Sequence, residues 1–377
     1  MTKLENKAPL FNKVLADIKK VKSKRINFIP FSNFDRFSYE YSGIYKNDYT
    51  ILTANSGVGK SKFLFRQYIL EPLNYVINNP ESGVDIKIFF NSLEEPASKV
   101  IYNIICDFLF QQGIYIDIKQ FRGIPNTDSL TDELITSIES LQEWFEVFES
   151  KVEISSFNRS TNAIFQKTKK FLDLNGEVVQ EGNDKVYKPK NDNLFVEHIT
   201  DHIGHISYSR EEGNIYNAIA HHSGTNNLIL KNLYECQVVD CQQQSKEKAK
   251  LDFNFKGTLN EQKLKPSEDG LADNKSTFNN ASQVISLFAP FNFDIQEYNG
   301  YDLNLLQDSY RYLEFLKNRE GSTCGIDLFY KGAIGEFTEL PLVLYSDDYQ
   351  KYVDVIEKFK ALKPDKKKEE RQEVFSL

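Results

Sequence analysis

The chain has 377 residues, 40% of them hydrophobic, enough to bury one large core or two modest ones. Apolar runs stop short of the ~18 residues that a bilayer span needs, and the charged start from Met1 to Lys7 has no apolar stretch behind it, so neither a membrane span nor a secretory signal is predicted. A net charge of −8 excludes a surface that attracts nucleic acid as a whole, so any such contact must be a local basic patch.

In chain order, residues 9 to 21 space Leu10, Val14, Ile18 and Val21 on one helical face, with Phe11 and Leu15 beside it. This predicts a short arm, packed either on its own core or on a neighbouring subunit. Residues 49 to 53 read as a buried strand, and an apolar helix follows from Lys60 to Ile69. A second strand is predicted at 86 to 92 and a helix from Pro96 to Gln111, then a Glu-rich helical segment at 125 to 150. A short strand at 151 to 154 leads to a helix at 160 to 172. The polar stretch from Asn175 to Asn193 reads as a surface hairpin.

A third long strand, Leu194 to Thr200, runs into Asp201. A helix from Asn214 to His222, a Ser-Gly-Thr loop and a strand at 236 to 241 come next, then a long polar loop from Ser245 to Lys275. Further strands are predicted at 283 to 288, 310 to 316, 325 to 330 and 335 to 339, with a last helix from Asp347 to Leu362 before a solvated charged tail. Strands alternating with helices predict an α/β fold with a mostly parallel sheet covered on both faces. The predicted organisation is an arm and linker at 1–30, a core domain at 31–345, and a helix with its tail at 346–377. Cys106, Cys236, Cys241 and Cys324 show no C-x-x-C spacing, which points to reduced thiols and a cytoplasmic protein.

Between the first strand and its helix stands Ala54-Asn55-Ser56-Gly57-Val58-Gly59-Lys60-Ser61, followed by Lys62. This is the phosphate-binding pattern G-x-x-x-x-G-K-[ST] with alanine for the first glycine. Small residues let the backbone N–H groups wrap around phosphates. Lys60 is expected to reach the β- and γ-phosphates of ATP, and the Ser61 hydroxyl to bind Mg²⁺.

At this loop the sequence resembles a known family, the ATPase domain of DnaB-type replicative helicases, especially phage-encoded ones, the resemblance covering residues 26 to 340. That family commonly has alanine at the position of Ala54. The resemblance implies a RecA-like ATPase core that forms a ring, typically of six subunits, and translocates on single-stranded DNA in replication. Phe90-Asn91-Ser92-Leu93-Glu94-Glu95 is similar to the family segment whose glutamate activates the attacking water. That role falls on Glu94, with Glu95 as the alternative, and a carboxylate at the C-terminal end of a strand suits it.

Val196 to Ile203 resembles the Walker B strand, and Asp201 takes the place of the aspartate that orients Mg²⁺; a shifted register would put Glu197 there instead. In Val238 to Gln244, Gln243 takes the place of the glutamine that senses the γ-phosphate. Leu316-Lys317-Asn318-Arg319-Glu320-Gly321 resembles the segment whose cations reach a neighbouring subunit's nucleotide. Arg319 becomes the arginine finger and Lys317 its companion, although Glu320 and Ser322 depart from the family's asparagine and proline. In the segment around Ala281, Asn280 and Ser282 replace acids of the family pattern.

The family's DNA-facing loops correspond to 203–213 and 245–275, and Lys246, Lys248 and Lys250 are the candidate phosphate contacts. All five histidines lie between His198 and His222, but without a cysteine pair at ligand spacing a structural metal is not expected. The family's N-terminal domain, which meets primase and a loader, has no counterpart before Tyr49, so partner binding of that type is expected to be lost or supplied by another chain. Two other classes stay open: a recombinase-like filament that uses ATP as a binding switch, and a nucleotide-binding structural protein with little hydrolysis.

Overall fold

The computed structural model describes residues 9–22, 28–116, 118–125, 129–157, 159–245, 261–332 and 334–343, together with residues 350, 351, 353, 354 and 357. Its centre is a nine-stranded sheet. In chain order the strands are β1 Asp48–Ala54, β2 Asp85–Ser92, β3 Val152–Ser155, β4 Leu194–Asp201, β5 Gln237–Gln243, β6 Gln283–Phe288, β7 Tyr310–Asn318, β8 Gly325–Lys331 and β9 Glu336–Glu339. Across the sheet they run β9-β8-β7-β6-β1-β5-β4-β2-β3. The six strands from β6 to β3 are parallel, and β7, β8 and β9 extend the sheet as an antiparallel meander. The predicted mostly parallel α/β sheet is therefore observed.

Alternation of side chains along each strand divides the core in two. Leu52, Val239 and Ile285 pack with Phe63, Leu64 and Tyr68 of the helical run after the phosphate loop, and with Val100 and Ile104 of the helix Ala97–Gln111. Their sequence neighbours Ile51, Val238 and Val284 face the other way, onto Leu230, Tyr234, Phe165 and Leu172. Helices thus cover both faces, as buried parallel strands require.

The helix after the phosphate loop does not end near Ile69. It passes through a π-helical turn, Arg66–Leu70, into Glu71–Asn78. The Glu-rich segment starts later than predicted, as Asp132–Glu139 with Thr131 capping its N-terminus, and breaks before Gln142–Lys151. The predicted arm is the helix Pro9–Lys22. It leaves Phe11, Val14 and Ile18 exposed, so these side chains are not packed on the chain's own core. The predicted helix and tail from Asp347 onward fall largely outside the described residues.

The Ser-Gly-Thr loop expected after His222 is instead a helical continuation, π-turn His222–Asn227 followed by Leu228–Asn232. Ser223 of that stretch is buried beside Tyr49, and its neighbours His222 and Asn227 are buried against Asp240. That carboxylate accepts hydrogen bonds from Tyr49 Oη (2.7 Å), Asn227 Nδ2 (2.8 Å) and His222 Nε2 (3.1 Å). Likewise His198 does not interrupt β4: its Nδ1 bonds Thr168 Oγ1 at 2.8 Å. Burial pushes its pKa down to about 3, so it is a neutral core histidine.

Glu197, on the opposite face with Phe195 and Ile199, is fully buried, and neither carboxylate oxygen has a hydrogen-bond partner among the described residues. Burial pushes its pKa well above the ordinary carboxylate value. Folded Glu197 then keeps its proton where the unfolded chain has released it, so stability falls as pH rises above the unfolded value of about 4.3. Glu197→Gln is expected to remove that slope. In urea titrations it should match the parent near pH 4 and be the more stable of the two at pH 8. Parallel pH profiles would show that Glu197 is not held protonated.

Candidate functional site

Four strand ends meet at one edge of the sheet. Ala54 at the end of β1 lies opposite Gln243 of β5, and Ser92 at the end of β2 lies opposite Asp201 of β4. The Leu93 N–H donates to the Asp201 carbonyl at 2.6 Å. A cavity of about 240 Å³ opens at this edge, lined by Asn55, Ser56, Gly57, Gly59, Lys60, Ser61, Lys62, Glu94, Glu95, Asp201 and Gln243, with Phe65, Phe90 and Tyr330 on its walls. Residues from widely separated parts of the sequence are thereby gathered around one space.

The loop is shaped by its glycines. Gly57 (φ 78°) and Gly59 (φ 103°) are left-handed, a conformation that residues with a Cβ rarely adopt. A Cβ on Gly59 would also come within 2.9 Å of the Tyr330 ring. Helix Lys60–Phe65 starts directly from this turn, so its free N–H groups and dipole face the cavity. Ala54, in contrast, is an ordinary buried strand residue, and glycine is not needed there.

Lys60 and Asp201 form an ion pair, Nζ to Oδ1 3.2 Å, with side chains only 6% and 5% exposed. Burial alone would raise the Asp201 pKa, but the Lys60 ammonium and hydrogen bonds from Ser61 and Cys241 hold it below the ordinary value. Burial likewise works against charge on Lys60, and its partners, Asp201 among them, keep its pKa above the ordinary value. Ser61 and Asp201 are thus adjacent, one hydroxyl and one ionised carboxylate at the phosphate loop, a donor set that fits a hard divalent cation such as Mg²⁺. The alternative acid, Glu197, lies inside the sheet and does not line the cavity.

The two glutamates differ. Glu95 is bound by the Lys99 ammonium, and its carbonyl accepts from Ser92 Oγ at 2.7 Å. Glu94 is exposed, lines the cavity and has no hydrogen-bond partner among the described residues. The three glutamines also divide. Gln242 Nε2 donates to the carbonyl of Asn274 (2.9 Å) and its Oε1 accepts from Thr277 Oγ1 (2.6 Å). Gln244 Nε2 donates to Thr53 Oγ1 (3.0 Å) and its Oε1 accepts from Ser267 N (3.2 Å). Gln243 alone of the three turns to the cavity, while its carbonyl accepts the Ala272 N–H at 2.9 Å. Strand β5 is in this way tied to the later part of the predicted polar loop and to Thr277 just after it.

Lys317 and Arg319 lie elsewhere. Val284 of β6 pairs with Lys317 while Leu287 pairs with Ala54, and the Arg319 N–H donates to the Ser282 carbonyl at 3.2 Å. About five residues of strand, roughly 16 Å, separate Arg319 from the level of Ala54. Both cations hold the end of helix Ser276–Asn280: Lys317 Nζ donates to the Phe278 carbonyl (2.7 Å) and Arg319 Nη2 to the Asn279 carbonyl (3.2 Å). They do not line this chain's own cavity.

Lys246, Lys248 and Lys250 lie outside the described residues. The other candidate DNA-facing loop is ordered by Glu212, which accepts from Thr161 Oγ1 (2.6 Å) and the Ser209 N–H (2.7 Å) and bonds His221 Nδ1 (3.0 Å). Slight burial opposes its charge, but these bonds dominate and hold its pKa at about 2. The loop presents Tyr208 and Arg210 to solvent.

The histidines do not form one cluster. His198 and His222 are core residues, and Glu94, His202 and His205 bring one ligand atom each within 4.8 Å of one another. His202 Nδ1 accepts the Gly204 N–H at 3.0 Å, so in the neutral ring its proton sits on Nε2. That makes Nε2 a hydrogen-bond donor and not a metal ligand.

Arg311 of β7 is a neighbour of the loop that none of the sequence motifs marks. It is fully buried, and its Nε donates to the Val58 carbonyl at 2.6 Å. The sequence does carry a signal for it: Arg311 shares strand parity with Leu313 and Phe315, both core residues, so it has to point inward.

Among solved structures, the chain is similar to one described as an "ATPase Domain", with a TM-score of 0.63 and 15% identity over 88% of this chain and 99% of that one. It is similar to the same degree, TM-score 0.63 and 15% identity, to "The Structure Of A DnaB-Like Replicative Helicase And Its Interactions With Primase", over 87% of this chain and 68% of that one. No family model and no curated protein matches the sequence. The fold is therefore that of DnaB-like helicase ATPase domains, the RecA-like ATPase fold. No helix among the described residues is long and apolar enough to cross a membrane.

Proposed function

We propose that this chain is an ATP-hydrolysing motor of the replicative-helicase kind, which acts as a ring of identical subunits and moves along single-stranded DNA. In this reading Lys60 and the N–H groups of the Gly57–Gly59 turn bind the β- and γ-phosphates, and Ser61 and Asp201 hold Mg²⁺. When bound, Mg²⁺ neutralises phosphate charge. Glu94 takes a proton from the water that attacks the γ-phosphorus as the bond to the β-phosphate oxygen breaks. Gln243 contacts the γ-phosphate and passes its loss to the segment tied to β5. Single-stranded DNA would meet the loop bearing Tyr208 and Arg210 and the lysines at 246, 248 and 250 through stacking and phosphate contacts.

The observation that carries the shared-site part is the placement of Lys317 and Arg319. They stand at the opposite end of the strands from the cavity, so only a nucleotide bound to another copy is within their reach. The exposed Phe11, Val14 and Ile18 of the N-terminal helix support an arm that docks on that copy. The test is complementation. Arg319→Ala and Lys60→Ala proteins are each expected to be inactive alone, and mixing them should restore part of the single-stranded-DNA-stimulated ATPase, because some interfaces pair an intact loop with an intact arginine. No recovery in mixtures that co-assemble would reject catalysis between subunits. Turnover without strand separation on a forked duplex would favour the filament reading over the helicase one.

A further inference from the structure

We propose that Arg311 is a positioning residue of the phosphate loop: it sets the affinity for nucleotide phosphates from behind the loop, without touching them. This rests on the nucleotide-site reading above. Val58 lies between the two left-handed glycines, and its carbonyl is held by Arg311 Nε at 2.6 Å. In a trans peptide the carbonyl oxygen and the next N–H point in opposite directions. Pinning the Val58 oxygen behind the loop therefore turns the Gly59 N–H forward, into the cavity where an anion is cradled.

The side chain is itself over-determined. Nη1 donates to the carbonyls of Asp308 (2.6 Å) and Tyr310 (2.8 Å), and Nη2 pairs with Asp308 Oδ1 at 3.0 Å. The guanidinium carbon lies 4.6 Å from the centre of the Tyr330 ring. That ring stacks on Phe337 at 4.5 Å and is the group that a Cβ on Gly59 would strike. Arg311, Tyr330 and Phe337 thus form a layer behind the loop.

The charge matters as well as the geometry. Arg311 is wholly buried, yet its one carboxylate partner among the described residues, Asp308, is 68% exposed and so screened by water. A buried cation needs compensation, and here part of it is left for an anion on the far side of the loop. Bound phosphates complete that compensation.

The experiment measures ADP and ATP affinity by displacement of a fluorescent nucleotide, with urea midpoints of the nucleotide-free proteins, for the parent, Arg311→Gln, Arg311→Lys, Asp308→Asn and Lys60→Ala. Arg311→Gln is expected to weaken ADP and ATP alike, by about tenfold, with KM raised and kcat at saturation within about twofold, the pattern of lost uniform binding. Arg311→Lys, which keeps the charge but not the fork, should fall between. Asp308→Asn keeps the three backbone bonds of Arg311 and removes the neutralising charge. It should bind nucleotide about two- to threefold more tightly in low salt, and the gain should vanish at high salt.

If the Arg311 variants lose urea stability while the folded fraction binds nucleotide as the parent does, Arg311 is structural only and the proposal is overturned. If they do not fold, Asp308→Asn decides: tighter low-salt binding supports the proposal, and unchanged or weaker binding overturns it. Lys60→Ala separates the two levels. Parent-like nucleotide affinity in that variant would reject the nucleotide site itself, whereas a loss there with no effect at Arg311 and Asp308 would reject this inference alone.

Discussion

Replacing Glu94 with glutamine is expected to lower steady-state ATP turnover by roughly a hundred- to ten-thousand-fold, the range associated with loss of a positioned general base. Nucleotide affinity should stay within about threefold of the parent, because the amide keeps the shape of the side chain and Glu94 makes no hydrogen bond to the phosphate loop among the described residues. The expectation follows from how the two adjacent acids are used. Glu95 is bound by Lys99 and its carbonyl by Ser92, so it shapes the turn after β2. Glu94 is exposed at the cavity wall, where its carboxylate has free lone pairs to accept a proton from water. Glu95→Gln is the control and should retain most of the turnover. If Glu95→Gln is the inactive variant and Glu94→Gln is not, the base is Glu95.

The second large effect is expected at Lys60. Lys60→Ala should weaken ATP binding by at least about a hundredfold, since it removes the cation of the loop that is aimed at the phosphates. It should also destabilise the nucleotide-free protein, because it strands Asp201 in a site where the carboxylate is only 5% exposed. Breaking a buried pair in this way costs about 3–5 kcal/mol.

The pH dependence distinguishes this from simple loss of packing. In the parent, the folded-state pKa of Asp201 is depressed, so its contribution is present above the unfolded value of about 3.9 and is lost as pH falls through the folded one. Without Lys60, burial is left opposed only by the hydrogen bonds, and the Asp201 pKa should rise. The destabilisation should then be small only below the parent's depressed folded value, where Asp201 is protonated in parent and variant alike, and should grow towards neutral pH. Urea midpoints measured across that range would show it. A loss of stability that does not vary with pH would mean that Asp201 is not the group left uncompensated. Lys60→Ala with Asp201→Asn should recover part of the stability at pH 8 but none of the nucleotide binding.

Much of the fold is legible in local pattern. The strands from Asp48 to Ala54, Asp85 to Ser92 and Gln283 to Phe288 centre on apolar runs, and the helix Ala97–Gln111 keeps its helical period throughout. Legibility fails where polar residues are buried. Ser223 read as part of a loop because the cost of burying it and its neighbours His222 and Asn227 is met by Tyr49 and Asp240 from other elements, and that compensation is invisible along the chain. The same holds for Glu197, which looks like a possible site acid and is an uncompensated core carboxyl. The start of the helix Asp132–Glu139 is misplaced by the apolar period because it depends on a capping hydroxyl, Thr131.

The chain by itself determined the phosphate loop, since Gly57, Gly59, Lys60 and Ser61 are close in sequence and their chemistry depends on local backbone geometry. The resemblance of later segments to the helicase family also singled out the acids and the amide at the strand ends, Glu94, Asp201 and Gln243. Only the tertiary structure decided which of them meet. Register across β1, β5, β4 and β2 put Asp201, Gln243 and Glu94 around Lys60 and excluded Glu197, because a strand presents alternate residues to opposite faces. The antiparallel return of β7 carried Arg319 to the far end of the sheet and Arg311 to the back of the phosphate loop. Strand direction is a long-range choice, and no local spacing records it.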